Sequence, residues 1–105
     1  MLILIEYRVT REDRAAFLDA LYRLSAARRR DGAYNWGVTE DSADPDLLVE
    51  WFMVESWAEH LRQHHRVSHP DADIQAEVAH FHQGDRPPQV RHCITLERPV
   101  RNSST

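Results

Sequence analysis

The chain has 105 residues, 42% of them hydrophobic and 29% charged, which suits one hydrophobic core and leaves no length for a second. Thirteen basic residues against 17 acidic ones give a formal charge of -4, so no overall field draws a polyanion and nucleic acid is not an expected partner. All the basic residues are arginine, read here as the codon usage of a GC-rich, bacterial genome. The single cysteine, Cys93, cannot close an internal disulfide and fits a reducing cytoplasm. The apolar start Leu2 to Ile5 is interrupted by Glu6 and Arg8, too soon for a signal peptide core or a membrane span. Membrane insertion is therefore not expected.

In chain order, residues 2 to 9 alternate Ile3, Ile5, Tyr7 and Val9 against Leu2, Leu4, Glu6 and Arg8, which predicts a first strand with two different faces. Thr10 with Asp13 resembles a capping box, and Phe17, Leu21 and Leu24 then recur at helical spacing until Gly32, which predicts a helix from about residue 11 to 30. The run Arg28-Arg29-Arg30 at its end suits the negative pole of the helix and is expected to be solvated. Residues 33 to 41 alternate Tyr34, Trp36 and Val38 against Asn35, Gly37 and Thr39, and the turn-rich stretch 41 to 46 predicts a hairpin into the next strand. That strand, 47 to 55, is apolar on both sides, with Leu47, Val49, Trp51 and Met53 on one and Leu48, Phe52 and Val54 with a lone Glu50 on the other. Such a strand must be covered on both faces.

Ser56 with Glu59 predicts a second capping box opening a short helix of residues 56 to 66. Ser68, Pro70 and Asp71 restart a helix carrying Ile74, Val78 and Phe81. Residues 84 to 88 form a loop, and 89 to 97 alternate Val90, His92, Ile94 and Leu96 against Arg91, Cys93 and Thr95 as a last strand. The domain is expected to span residues 1 to 98, with 99 to 105 a flexible tail. The order βαββαβ predicts an α+β, ferredoxin-like fold: a four-stranded antiparallel sheet with its helices on one face. The other face would carry Leu2 and Leu4, and the Trp51 set if Phe52 and Val54 meet the helices, more apolar surface than a monomer ordinarily exposes. A homodimer packing two such faces together, a dimeric α+β barrel, is the expected cover.

The stretches Glu6-Tyr7-Arg8-Val9, Arg28 to Tyr34, Asp44-Pro45 and Val54 to His64 resemble the soluble C-terminal extension of a family of bacterial major-facilitator transporters, from about residue 2 to residue 94. That extension is similar to the antibiotic-biosynthesis monooxygenase-like dimeric α+β barrels, which include cofactor-free oxygenases, haem-degrading enzymes and members of unknown activity. The resemblance implies the fold, a free-standing cytoplasmic version of the extension, and one of two roles. One is a cofactor-independent monooxygenase-like enzyme acting on an aromatic or polycyclic small molecule. The other is a non-catalytic small-molecule-binding or regulatory domain. The haem-degrading branch places asparagine, tryptophan and a haem-ligating histidine where this chain has Leu4, His64 and Ile74, so neither haem nor any other cofactor is expected.

Seven histidines are present, and His60, His64, His65 and His69 fall within ten residues. Their four-residue spacings could pair imidazoles on one helix, but the second pair crosses the helix break and no cysteine joins them, so no metal is expected. By its place in the related barrels, His64 is the candidate base or hydrogen-bond donor at a cavity mouth, with His60 one turn away. Arg8 is a candidate for an anionic oxygen of a ligand and Trp51 for the cavity wall. His92, on an apolar strand face, is expected to be a satisfied core residue. Glu50 is open to two readings, a base with a raised pKa or the structural partner of an arginine or a backbone amide.

Overall fold

The computed structural model describes residues 1–56, 58 and 69–98. Its elements are β1 (Leu2–Arg8), α1 (Arg14–Arg30), β2 (Tyr34–Glu40), β3 (Leu47–Met53), α2 (His69–His80) and β4 (Gln89–Cys93). The sheet is antiparallel throughout in the order β2-β3-β1-β4, the ferredoxin-like arrangement that the sequence predicts. The helix expected over 56 to 66, with Trp57, and the tail 99 to 105 lie outside the described residues. No helix among the described residues is long and apolar enough to cross a membrane.

β1 and β3 alternate between buried and half-buried positions, up to the exposed Arg8 at the end of β1, because a strand's side chains change face at every residue. Ile3, Ile5 and Tyr7 with Leu48, Glu50 and Phe52 point toward the helices. There they meet Phe17, Ala20, Leu21 and Leu24 of α1 and Val78 of α2 in one core. Phe17 is fully buried, edge-on to Tyr7 at 5.1 Å and to Phe81 at 6.1 Å. Each large apolar side chain so buried contributes about 1.5–3 kcal/mol. α1 and α2 are tied at their surfaces by Arg23 to Glu77 at 2.6 Å and by Arg30 to Asp71.

α1 starts at Arg14, later than the sequence predicts, and its N-cap Asp13 makes no side-chain capping bond. The Thr10 box is not used; backbone turns fill the gap, Asp13 N–H donating to Thr10 O and Arg14 N–H to Arg11 O. The other end closes as expected. Gly32 takes φ 102° and donates to Arg29 O, while Ala33 donates to Arg28 O, the left-handed cap that glycine makes inexpensive.

In β2 the simple alternation fails. Tyr34 pairs with Met53 but Gly37 with Trp51, so β2 spends one more residue than β3 between the two pairs, with Asn35 at φ 52°. Trp36 shares the helix-facing side with Val38, as alternation predicts, and the bulge moves Tyr34 to the other face with Gly37. β4 is also shorter than predicted. It runs out of partner at Leu2↔Cys93, so residues 94 to 97 have no β1 residue left to pair with, and Ile94 and Leu96 are 78% and 89% exposed.

The face away from the helices carries Leu2, Leu4, Leu47, Val49, Trp51 and Met53, all half-buried. The Trp51 indole lies across Gly37, where an added Cβ would come within 2.6 Å of Cε2 and Cζ2. Gly37 is thus fixed by the ring above it. Gly37→Ala should displace the indole and lower stability by about 1–3 kcal/mol, the usual cost of overpacking. Thermal denaturation with tryptophan emission checks this, and an unchanged melting curve and spectrum would show that the ring is free to move.

Candidate functional site

On the helix side the sheet holds a fully buried carboxylate. Glu50 sits mid-β3 opposite Ile5, and an unpaired charge there would cost several kcal/mol. It is instead saturated. Tyr7 Oη donates to Oε1 at 2.9 Å, Trp36 Nε1 to Oε2 at 2.9 Å, and Arg28 donates from Nε to Oε2 at 3.0 Å and from Nη2 to Oε1 at 3.1 Å. Each donor depends on a local feature already described. Tyr7 is on the inward face of β1, Arg28 is in the last turn of α1, and Trp36 is on the inward face of β2 with Val38. No buried side-chain N or O among the described residues lacks a partner.

These contacts decide between the two readings of Glu50. Two oxygens accepting four bonds have used the lone-pair sites a carboxylate offers, so Glu50 is a structural partner and holds no free site for a substrate proton. They also revise the arginine run. Arg28 is not solvated; it lies over the Phe52 ring at 5.0 Å and pairs with Glu50. Burial pulls its pKa down, but the Glu50 charge and hydrogen bonds more than offset that and leave it raised. Burial, then the Glu50 charge, push the Tyr7 phenol far above its ordinary range.

Beside this cluster, between sheet and helices, lies a partly open cavity of about 340 Å³. Ile3, Ile5, Phe52 and Val90 give it apolar walls, and Arg28, Gln75 and His92 supply polar groups. Its size and mix suit a small, mostly apolar ligand. His92 is on the helix-facing side, as its strand position predicts, but it is exposed and not a core residue, because β4 is an edge strand exposed along its whole length.

The site residues chosen from sequence lie elsewhere. Arg8 is at the exposed end of β1, paired with Asp44 at 2.8 Å, and lines a separate polar recess of about 440 Å³ with Glu6 and His82. Its hydrogen bond holds the Asp44 carboxyl below its ordinary pKa. Trp51 is on the opposite sheet face. His60 and His64 lie outside the described residues. Tyr7, Arg28 and Gln75, which do line the cavity, were not singled out from sequence. Arg28 was hidden inside a run of three like residues, and only the pairing of its helix end with Glu50's strand marks it.

The fold is shared with solved proteins. A candidate antibiotic biosynthesis monooxygenase from Bordetella bronchiseptica superposes with a TM-score of 0.74 at 15% identity, covering 91% of this chain and 96% of that one. A similarly named protein from Caulobacter crescentus gives 0.73 at 14%, covering 91% and 89%. A conserved protein from Methanosarcina mazei Go1 gives 0.69 at 18%, covering 86% of each. The class is therefore the monooxygenase-like, ferredoxin-like α+β fold. By sequence, residues 1–100 match the family described as transmembrane secretion effector, and the chain belongs to that family. A search of the curated proteins finds no match.

The cluster makes an alkaline prediction. Tyr7 keeps its proton when folded while an unfolded tyrosine loses it near pH 10, so the stability this phenol contributes is full below about pH 10 and falls as pH rises above it. Wild type and Tyr7→Phe should then give the same phenolate absorbance until the pH at which the wild type unfolds. A wild-type excess of one phenolate in the folded protein would contradict the buried phenol. Glu50→Leu, which strands Arg28, should cost about 3–5 kcal/mol in urea unfolding.

Proposed function

We propose that this protein is a small-molecule-binding domain of the monooxygenase-like fold, a dimer in its working form, that takes a mostly apolar or aromatic ligand into the cavity between sheet and helices. The observation that carries this reading is the apolar, partly open cavity beside a Glu50 carboxylate whose acceptor sites are filled. Arg28 and Glu50 offset each other's charge, so the cavity favours a neutral molecule. Arg28 commits two of its five N–H donors to Glu50, which leaves donors for a carbonyl or phenolic oxygen. Gln75 and His92 can add to that orientation. Membership in a secretion-effector family suits a cytoplasmic module that senses a molecule for export. His64 and His60, which follow β3, are further candidates for orienting the ligand.

Cofactor-free oxygenation of an aromatic substrate is the second reading, favoured by the names of the structural neighbours and by the polar groups bordering the cavity. Because Glu50 is saturated, its base would have to be a histidine. Cofactor-independent oxygen uptake with an aromatic hydroquinone, abolished in His64→Ala or His92→Ala, would select this reading over binding alone.

The binding test uses N-phenyl-1-naphthylamine, a neutral aromatic probe that brightens in apolar sites. Wild type should bind it, and Val90→Trp, which fills the cavity, should lose about tenfold or more of the affinity while keeping its fold. No binding by the wild type, or equal binding by Val90→Trp, sinks the cavity assignment. The dimer is proposed to pack the Leu4 and Trp51 faces together, since six half-buried apolar side chains lie there. Sedimentation equilibrium should find a dimer at micromolar concentration, and Trp51→Asp should abolish it by placing an unpaired carboxylate in the interface. A natively folded wild-type monomer would overturn that arrangement.

A further inference from the structure

The connector between α2 and β4 is fastened to β1 at one residue. The Arg8 backbone N–H donates to Nδ1 of His82 at 2.9 Å, and the Gln83 N–H donates to the Arg8 carbonyl at 2.7 Å. The β1–β4 ladder stops at Glu6↔Gln89, so this clasp stands just beyond its end and holds a segment the ladder does not. The segment leads to the cavity: Pro88 at its far end, and Val90 and His92 of β4, line it.

An imidazole nitrogen accepts a hydrogen bond only while it carries no proton. The clasp therefore requires His82 to be neutral with its proton on Nε2. Around it, β1 presents Glu6 and Arg8, the connector Asp85 and Arg86, β3 Leu47 and β4 Gln89. The Arg8 guanidinium is held by Asp44, with Asp46 nearby, and Glu6 faces Arg91 of β4 at 4.0 Å. α2 ends just before it at His80.

We infer that His82 is a positioning residue for the cavity and makes ligand binding pH-sensitive, an inference that rests on the ligand-binding reading above. Neutral, the ring holds the connector against β1 and fixes the cavity's Pro88 side. Protonated, Nδ1 becomes a donor facing the Arg8 N–H, the bond is lost, and the connector loosens. The clasp is thus complete while the ring carries no proton on Nδ1 and is lost once acid protonates it.

The test compares wild type, His82→Ala and His82→Asn, whose carboxamide oxygen can accept in place of Nδ1 without titrating. The affinity of the wild type for N-phenyl-1-naphthylamine should fall about three- to tenfold from neutral to acid pH, one hydrogen bond's worth. His82→Asn should keep the high-pH affinity at both values, and His82→Ala should be weak at both. A flat wild-type profile, or the same acid loss in His82→Asn, overturns the clasp and leaves the cavity assignment standing. Should the probe not bind at all, the ligand reading fails. The clasp is then decided by amide exchange of Arg8 and Gln83, corrected for intrinsic rate. Protection lost at acid pH in wild type but kept in His82→Asn supports it, and protection independent of pH overturns it.

Discussion

The structure depends on the burial of one carboxylate. Glu50 has no exposed surface, and a charge so placed is tolerated only when its partners arrive together from the rest of the chain. They come from β1, α1 and β2, so the Glu50 contacts specify at once which face of β1 looks inward, where α1 ends over the sheet, and which side of β2 carries Trp36. A one-residue slip of β3 would turn Glu50 to the other face and leave Arg28 unpaired. The pair thus adds register and uniqueness to a core whose stability comes from its apolar members.

The same arrangement separates the two faces of the sheet by task. The helix side combines a packed core with a partly open cavity and a closed polar network. The other side offers leucine, valine, methionine and one tryptophan from β1 and β3, with Glu6 and Arg8 at the end of β1 and Arg91 of β4 opposite Leu4. The first face thus sets hydrogen-bond donors beside an apolar cavity, and the second is mainly apolar at its centre. The polar recess at the end of β1 lies at the boundary between them, and the connector runs from its Pro87 to the cavity's Pro88.

The strand alternation of residues 2 to 9 and 47 to 54, the spacing of Phe17, Leu21 and Leu24, and the Gly32 stop made the fold readable, because each is a local pattern that burial must respect. What was not readable depended on long-range meetings. The bulge at Asn35 leaves no mark in an alternating sequence, and it turns Tyr34 away from the face that Trp36 and Val38 share. The end of β4 at Cys93 is set by where β1 starts and not by its own alternation, which continues to Leu96. The cavity residues were missed for the same reason: Arg28, Gln75 and Val90 come from three elements and share no spacing. His92 was assigned to its correct strand face but expected to be buried, because sequence does not say that β4 is an edge.

Residues 94 to 97 give β4's open end a consequence for handling the protein. Among the described residues their backbone groups have no ladder partner, and Ile94 and Leu96 are among the most exposed apolar side chains described. An unprotected strand end of this composition is a template for any similar edge. Colloidal loss in storage would then begin from intact, natively folded molecules that meet edge to edge. Additives that raise the melting temperature would do little against it, whereas a charge at position 94 or 96 would act directly.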